Sequence, residues 1–268
     1  MNKKVDENLK RIFDLMFRKL EEISINDKFM KEINERRERT FDKCKPDSYF
    51  YENLVRDIHV AGFRSAVVTN KWPSIKEAFS NFDIKKVAQY DDKEFENLMN
   101  NPKIIRNKRK LGACIENAKI MRDLSNKFGS FGEFLDQNKD NVGELRKKLT
   151  SNFKYVGDAV VLDYLKDVGL DFIKPDVHVM RVFFRLGFIH TEYQTRENVN
   201  KLIEIAEQIK RETGERLAVI DAVFWMYGGG GDGHVKKAIC NKNKPLCNEC
   251  PLTSFCKFYN DKLPNFSK

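Results

Sequence analysis

The chain has 268 residues, 41% of them hydrophobic, and 49 Lys and Arg against 40 Asp and Glu leave a net charge of +9. That apolar share can bury one sizeable core or two smaller ones, and no segment has the unbroken apolar run of a membrane span, which excludes a membrane-embedded protein. The start, Met1-Asn2-Lys3-Lys4-Val5-Asp6, lacks the apolar core of a signal peptide, so a cytoplasmic location is expected, nucleoid-associated in a bacterium. Thiols stay reduced there, and four cysteines crowded between Cys240 and Cys256 read as metal or cluster ligands rather than disulfides.

In chain order, Leu9, Ile12, Phe13, Met16, Phe17 and Leu20 fall on one helix face. Ser74-Ile75-Lys76-Glu77 and Ser130-Phe131-Gly132-Glu133 match the capping box, and each predicts a helix start. Lys103, Arg106, Lys108, Arg109 and Lys110 have the look of a phosphate-binding surface, while most other charge is interleaved and reads as solvated helix surface. Leu202, Ile203, Ile205, Ala206 and Ile209 give a second amphipathic stripe. The run Gly228-Gly229-Gly230-Gly231-Asp232-Gly233 predicts a loop, because glycine loses too much backbone freedom to stay helical. No Gly-Lys-Ser/Thr follows it, so a connector is preferred to a phosphate cradle. Alternating strands with hairpin turns are missing from the pattern, and the fold class is all-α.

Cys240, Cys247, Cys250 and Cys256 are separated by six, two and five residues. Four-cysteine zinc sites use two close pairs held apart by a longer segment, whereas one compact loop with four thiolates suits a [4Fe–4S] cluster. This spacing resembles the cluster loop of the endonuclease III and adenine-mismatch glycosylase families, within the helix-hairpin-helix DNA glycosylase superfamily. The resemblance implies a [4Fe–4S] cofactor that does not carry out the hydrolysis, on a loop presenting Lys236, Lys237, Lys242, Lys244 and Lys257 to DNA phosphates. Cys44 and Cys114 are expected to be core thiols.

Phe153-Lys154-Tyr155-Val156-Gly157-Asp158-Ala159, followed by Lys174-Pro175-Asp176-Val177-His178, resembles the superfamily's hairpin and its downstream aspartate. A glycine turn between helices lets backbone amides approach a phosphate, with Val156 and Gly157 as contact amides and Lys154 beside them. Tyr155 stands where the usual hairpin has a further glycine. Asp176 is expected to cap the helix beginning near Val177, and the resemblance also makes it the catalytic carboxylate, stabilising an oxocarbenium-like sugar and orienting or deprotonating a water. Members that also cleave the backbone carry a Schiff-base lysine where Ala159 stands here, so the resemblance implies a monofunctional enzyme, with Lys154 as the nearest amine.

From about Tyr49 to Leu135 the chain resembles the 3-methyladenine DNA glycosylase I branch, through Gly62-Phe63-Arg64, Lys71-Trp72-Pro73, Glu77-Ala78-Phe79, Ile104-Ile105-Arg106-Asn107, Lys110 and Asn117-Ala118. The acidic base-reading residue and the zinc ligands of that branch have no counterpart in His59-Val60-Ala61-Gly62. Tyr49, Phe50, Tyr51, Phe63 and Trp72 are the candidates for an aromatic pocket around a flipped purine, Tyr49, Phe63 and Trp72 foremost, with core packing as the other reading of Trp72, Phe79 and Phe82. The expected architecture is two helical lobes, 46–170 with the hairpin and 1–45 plus 171–268 with the cluster loop, and a cleft holding Asp176. The expected function is a monomeric glycosylase acting on double-stranded DNA in base excision repair, most simply removing an alkylated purine such as 3-methyladenine. The alternatives are an adenine-mismatch or oxidised-base glycosylase, a glycosylase aimed at modified foreign DNA, and a non-catalytic iron–sulfur DNA-binding protein.

Overall fold

The computed structural model describes residues 3–62, 65–230 and 233–262. The chain forms two compact units, one of Met1–Arg39 with Asp171–Lys268 and the other of Thr40–Leu170. The first stretch carries α1 (Lys3–Glu22) and α2 (Lys28–Glu38). The second unit holds α3 (Asp47–Val60), α4 (Ser65–Ala78), α5 (Ile84–Val87), α6 (Asp92–Asn100), α7 (Lys108–Phe128), α8 (Phe131–Asp136), α9 (Val142–Asn152) and α10 (Asp158–Asp167). The return stretch carries α11 (Val177–Leu186), α12 (Arg196–Thr213), α13 (Leu217–Gly229) and α14 (Lys257–Lys262). Among the described residues the sole β pairing is an isolated bridge between Ser24 and Val235, so the fold is all-α.

In the unit built from both ends of the chain, the α1 face of Leu9, Ile12, Phe13, Met16 and Leu20 is buried with Leu202, Ile205, Ala206 and Ile209 of α12 and with most of α13. Helix α13 is apolar all round, from Leu217 to Tyr227, which is the pattern of a helix enclosed by others. Fully burying each such aliphatic or aromatic side chain is worth about 1.5–3 kcal/mol. Asp221 is tolerated on α13 because its carboxylate accepts from the Lys174 amide at 2.8 Å and from Arg36 Nη1 at 3.4 Å. Ile203, placed on the α12 stripe by its sequence, is instead 42% exposed, one position off the buried face.

The glycine run departs from the loop expectation. Gly228 and Gly229 remain helical at the end of α13, and the left-handed turn falls at Gly230, with φ +84. Packing against α11 outweighs the entropy cost here. A Cβ on Gly228 would stand 2.8 Å from the His178 carbonyl oxygen, and one on Gly229 would stand 2.9 Å from the His178 ring. Gly231 and Asp232 lie outside the described residues.

In the Thr40–Leu170 unit, α3 buries Phe50, Tyr51, Leu54, Val55, Ile58 and His59. It packs on α4, α7, α8 and α10. The Tyr51 hydroxyl donates to the Cys114 carbonyl at 2.8 Å. Cys114 is buried, as a core thiol should be, but Cys44 is exposed, because it lies in the irregular segment before α3 rather than on a helix face. Ser130 does start a helix, its hydroxyl accepting from the Glu133 amide at 3.0 Å. Ser74 does not: α4 runs through it, with Pro73 inside the helix, because Val68, Trp72 and Ile75 all turn to the core. The complete capping box is at Asp91 and Glu94, opening α6.

Candidate functional site

Helices α9 and α10 are joined by a tight turn over Phe153–Gly157. Tyr155 takes the left-handed conformation there, φ +60, so the turn keeps a shape suited to glycine while carrying an aromatic ring that is 43% exposed. A buried side chain that the sequence reading passed over as a functional residue holds this shape. Asn117, on α7, accepts from the Lys154 amide at 2.7 Å and donates to the Lys154 carbonyl at 2.9 Å. Phe153 and Val156 are buried as anchors, Lys154 is exposed, and a Cβ at Gly157 would meet nothing within 4 Å. The Val156 and Gly157 amides donate to no acceptor among the described residues. Two free amides, an open glycine and the start of α10 make a place where an anion can approach the backbone closely.

The basic group nearby divides. Lys108 and Arg109 line, with Lys154 and Tyr155, an open cavity of about 540 Å³. Lys110 is not part of the phosphate surface its neighbours suggested. It is buried, its ammonium reaching the His59 carbonyl at 2.9 Å and the Ala61 carbonyl, which closes the end of α3. Burial lowers its pKa. Lys71 is used the same way, on the carbonyls of Pro102 and Lys103, both at 3.2 Å.

In the other unit, Asp176 is the N-cap of α11. Its Oδ1 accepts from the His178 amide at 2.8 Å and the Val179 amide at 2.9 Å, leaving Oδ2 outside the cap. Further along α11, Arg181 and Arg185 are buried, and their guanidinium groups face backbone carbonyls. Arg181 reaches the Gly228 carbonyl at 2.7 Å, the Cys240 carbonyl at 3.2 Å and His178 Nδ1 at 3.0 Å. Arg185 holds the carbonyls of Asn241 at 2.7 Å and Lys242 at 2.9 Å, and its Nη1 lies 3.4 Å from Cys240 Sγ. The helix that begins with Asp176 is thus fastened to the cysteine loop.

The four cysteines fold back on α11 and α13, with Cys240, Cys250 and Cys256 packed against the core. Burial raises all three thiols, and each has other cysteines of the four near enough to raise it further. Among the described residues no three His, Cys, Asp or Glu side chains converge as a single metal ion would need. One zinc needs sulfurs about 2.3 Å from a common point, whereas a four-iron cluster takes one thiolate per iron at its corners. The four cysteines make an all-sulfur donor set, which in chemistry suits an iron–sulfur cluster, and an arginine N–H and the Tyr227 hydroxyl lie against two of the sulfurs. Lys236, Lys242, Lys244 and Lys257 are exposed around the loop, and Lys237 pairs with Glu249 at 2.6 Å.

Of the aromatic candidates, Phe63 lies outside the described residues, Tyr49 is half-buried edge-on to Phe50, and Trp72 is stacked on Phe82 at 5.4 Å with the Arg56 guanidinium 4.8 Å from its ring centre. The sequence reading missed Asp57. Its Oδ2 is buried without a partner, as is the Tyr164 hydroxyl on α10, which lies in the field of the same carboxyl. Burial, then the neighbouring Asp167 and Asp163 carboxylates, push Asp57 up to about 9, so it is neutral near pH 7 and can donate a hydrogen bond as well as accept one. An acid one turn after Leu54 and beside Ile58 breaks an otherwise buried face, which is the signal that marks it in the sequence.

A raised folded-state pKa means that stability from Asp57 is complete below its ordinary value of 3.8 and is lost as pH rises towards 9. Buried His59, lowered by desolvation to about 4, works at the other end: its contribution is lost as pH falls from 6.5 towards 4. Asp57→Asn is therefore expected to melt higher than the parent from neutral pH upward, by about 1–3 kcal/mol at pH 8–9. Parallel melting curves for the two proteins between pH 5 and 9 would show that Asp57 is ionised.

Residues 41–151 match the family model described as methyladenine glycosylase. The matched stretch covers α3 to α8 and most of α9, ending just before the hairpin. A second relative is the Endonuclease III of Sulfolobus acidocaldarius, 29% identical over 91 residues. That match covers 34% of this chain, and the chain spans about a third, 34%, of that relative's length. Among solved structures, a variant of Staphylococcus aureus 3-methyladenine DNA glycosylase I is 22% identical, covering 55% of this chain and 92% of its own, with a TM-score of 0.47. The Methanocaldococcus jannaschii 8-oxoguanine glycosylase/lyase in complex with a 15mer DNA containing 8-oxoguanine is 21% identical, covering 80% and 97%, with a TM-score of 0.49. The chain resembles helix-hairpin-helix DNA glycosylases in its sequence.

Proposed function

We propose that this protein is a monofunctional DNA glycosylase that hydrolyses the N-glycosidic bond of a damaged base in duplex DNA. The observation that carries the reading is Asp176, a carboxylate fixed at the start of α11 by two amide bonds to one oxygen while the other is left for chemistry. Fixed in this way, it can stabilise positive charge on the sugar as the base departs and take a proton from the water that adds at the same carbon. The hairpin amides of Val156 and Gly157, with Lys154, Lys108 and Arg109 near them, support phosphate binding that fixes register without reading sequence. Ala159, exposed on the first turn of α10, supplies no amine for a Schiff base, which supports hydrolysis without backbone cleavage.

The alkylated purine remains the first substrate reading, supported by the methyladenine glycosylase match. An oxidised base is the second, supported by the Endonuclease III match. The cysteines Cys240, Cys247, Cys250 and Cys256 would hold a [4Fe–4S] cluster, which when bound supplies a rigid, redox-active cross-link of the loop. Base release, identified by mass, from duplexes carrying methylated purines and from duplexes carrying 8-oxoguanine tests the reading. Release of a base without covalent trapping by borohydride is the expected outcome. Trapping would show a lyase, through Lys154 or another amine, and no release from any damaged duplex would leave a non-catalytic DNA-binding protein.

A further inference from the structure

The partner of the Tyr227 hydroxyl is the Cys250 sulfur, at 3.0 Å. Tyr227 is buried on α13, and a phenylalanine would fill the same core space, so the hydroxyl's presence in an apolar setting is explained by the sulfur it meets. Arg185 approaches a second sulfur, Cys240 Sγ, with Nη1, and its guanidinium lies 4.6 Å from the Phe258 ring centre. It is buried and faces backbone carbonyls and a thiol, with no carboxylate among the described residues. A buried guanidinium is costly to keep away from water unless negative charge is nearby. Four thiolates around an iron–sulfur core supply such charge.

We propose that Tyr227 and Arg185 set the reduction potential of the group held by the four cysteines, through an O–H···S bond to Cys250 and an N–H···S bond to Cys240. The proposal rests on the cluster reading given above. The couple is a one-electron step: an electron from an electrode enters the iron–sulfur core, no bond forms or breaks, and no proton moves. The added negative charge spreads onto the ligand sulfurs, so donors at those sulfurs favour the reduced state and raise the potential.

The test is voltammetry of the full chain, purified anaerobically, with iron content and visible absorption measured on the same samples. Tyr227→Phe is expected to keep the parent's iron content and to shift the midpoint to more negative potential. Arg185→Gln is expected to shift it the same way and to lose iron faster, and Arg185→Lys, which restores a cationic donor, to recover part of the shift. A parent that holds four irons while Tyr227→Phe and Arg185→Gln leave the midpoint unchanged overturns the proposal. So does loss of iron from Tyr227→Phe, since the hydroxyl would then be a structural requirement and not a tuning group. A colourless parent without iron removes the cluster reading itself, an outcome separate from the first two.

Discussion

Asp176→Asn is expected to lower the single-turnover rate of base release by about 10²–10⁴-fold while leaving DNA affinity and melting temperature nearly unchanged. The two effects separate because the cap and the charge reside in the same side chain but in different properties of it. Asparagine is as good an N-cap as aspartate, and its amide oxygen can accept from His178 N and Val179 N as Oδ1 does. What it cannot do is carry negative charge opposite a developing sugar cation or accept a proton from water. Asp176→Ala loses both, and should add about 1 kcal/mol of destabilisation from the missing cap to the same loss of rate. Both variants with parent-like rates would remove Asp176 from the chemistry. A rate loss for Asp176→Ala alone would make it a structural cap.

The second large effect is expected at Gly228. Glycine to alanine at an open interior helix position gains up to about 1 kcal/mol from helix propensity alone. Gly112, inside α7, is such a position, since its added Cβ would come no nearer than 3.9 Å to a Phe95 ring carbon. At Gly228 the new methyl would stand 2.8 Å from the His178 carbonyl oxygen and 3.0 Å from Val182 Cγ2. A main-chain oxygen cannot step aside by changing rotamer, so α11 and α13 must move apart, costing about 1–3 kcal/mol against the propensity gain. Thermal melting should therefore go in opposite directions, up for Gly112→Ala and down for Gly228→Ala. Because the oxygen belongs to the first turn of α11, Gly228→Ala should also disturb Asp176 and slow base release. A Gly228→Ala protein as stable as the parent would mean that the two helices have slack where the close approach shows none.

Local patterns were enough for much of this. The spacing of Leu9 to Leu20 and of Leu202 to Ile209 marked amphipathic helices, Ser130 marked a start, and the absence of alternation marked an all-α chain, because each of these depends on neighbours within one or two turns. The Ser74 motif failed for the same reason that Ser130 succeeded. A capping box raises the chance of a helix start, but the burial of Val68, Trp72 and Ile75 carries α4 straight through it. Asp176 was legible as a cap and as a carboxylate, because both follow from one residue and the helix behind it.

The rest was decided by what distant segments bring together. Lys110 reads as one more basic residue until the end of α3 supplies two carbonyls for its ammonium, and Asn117 reads as a polar helix residue until the hairpin turn folds against it. Asp57 becomes a neutral carboxyl first because packing buries it, and then because α10 brings Asp167 and Asp163 beside it from about 100 residues later in the chain. The sequence by itself determined the helices, the cysteine spacing and the residue types available for chemistry. Tertiary packing alone decided which charges are solvated and which are buried, and with that the protonation of Asp57 and the donors that face the cysteine sulfurs, since desolvation and hydrogen-bond partners depend on distances that chain order does not encode.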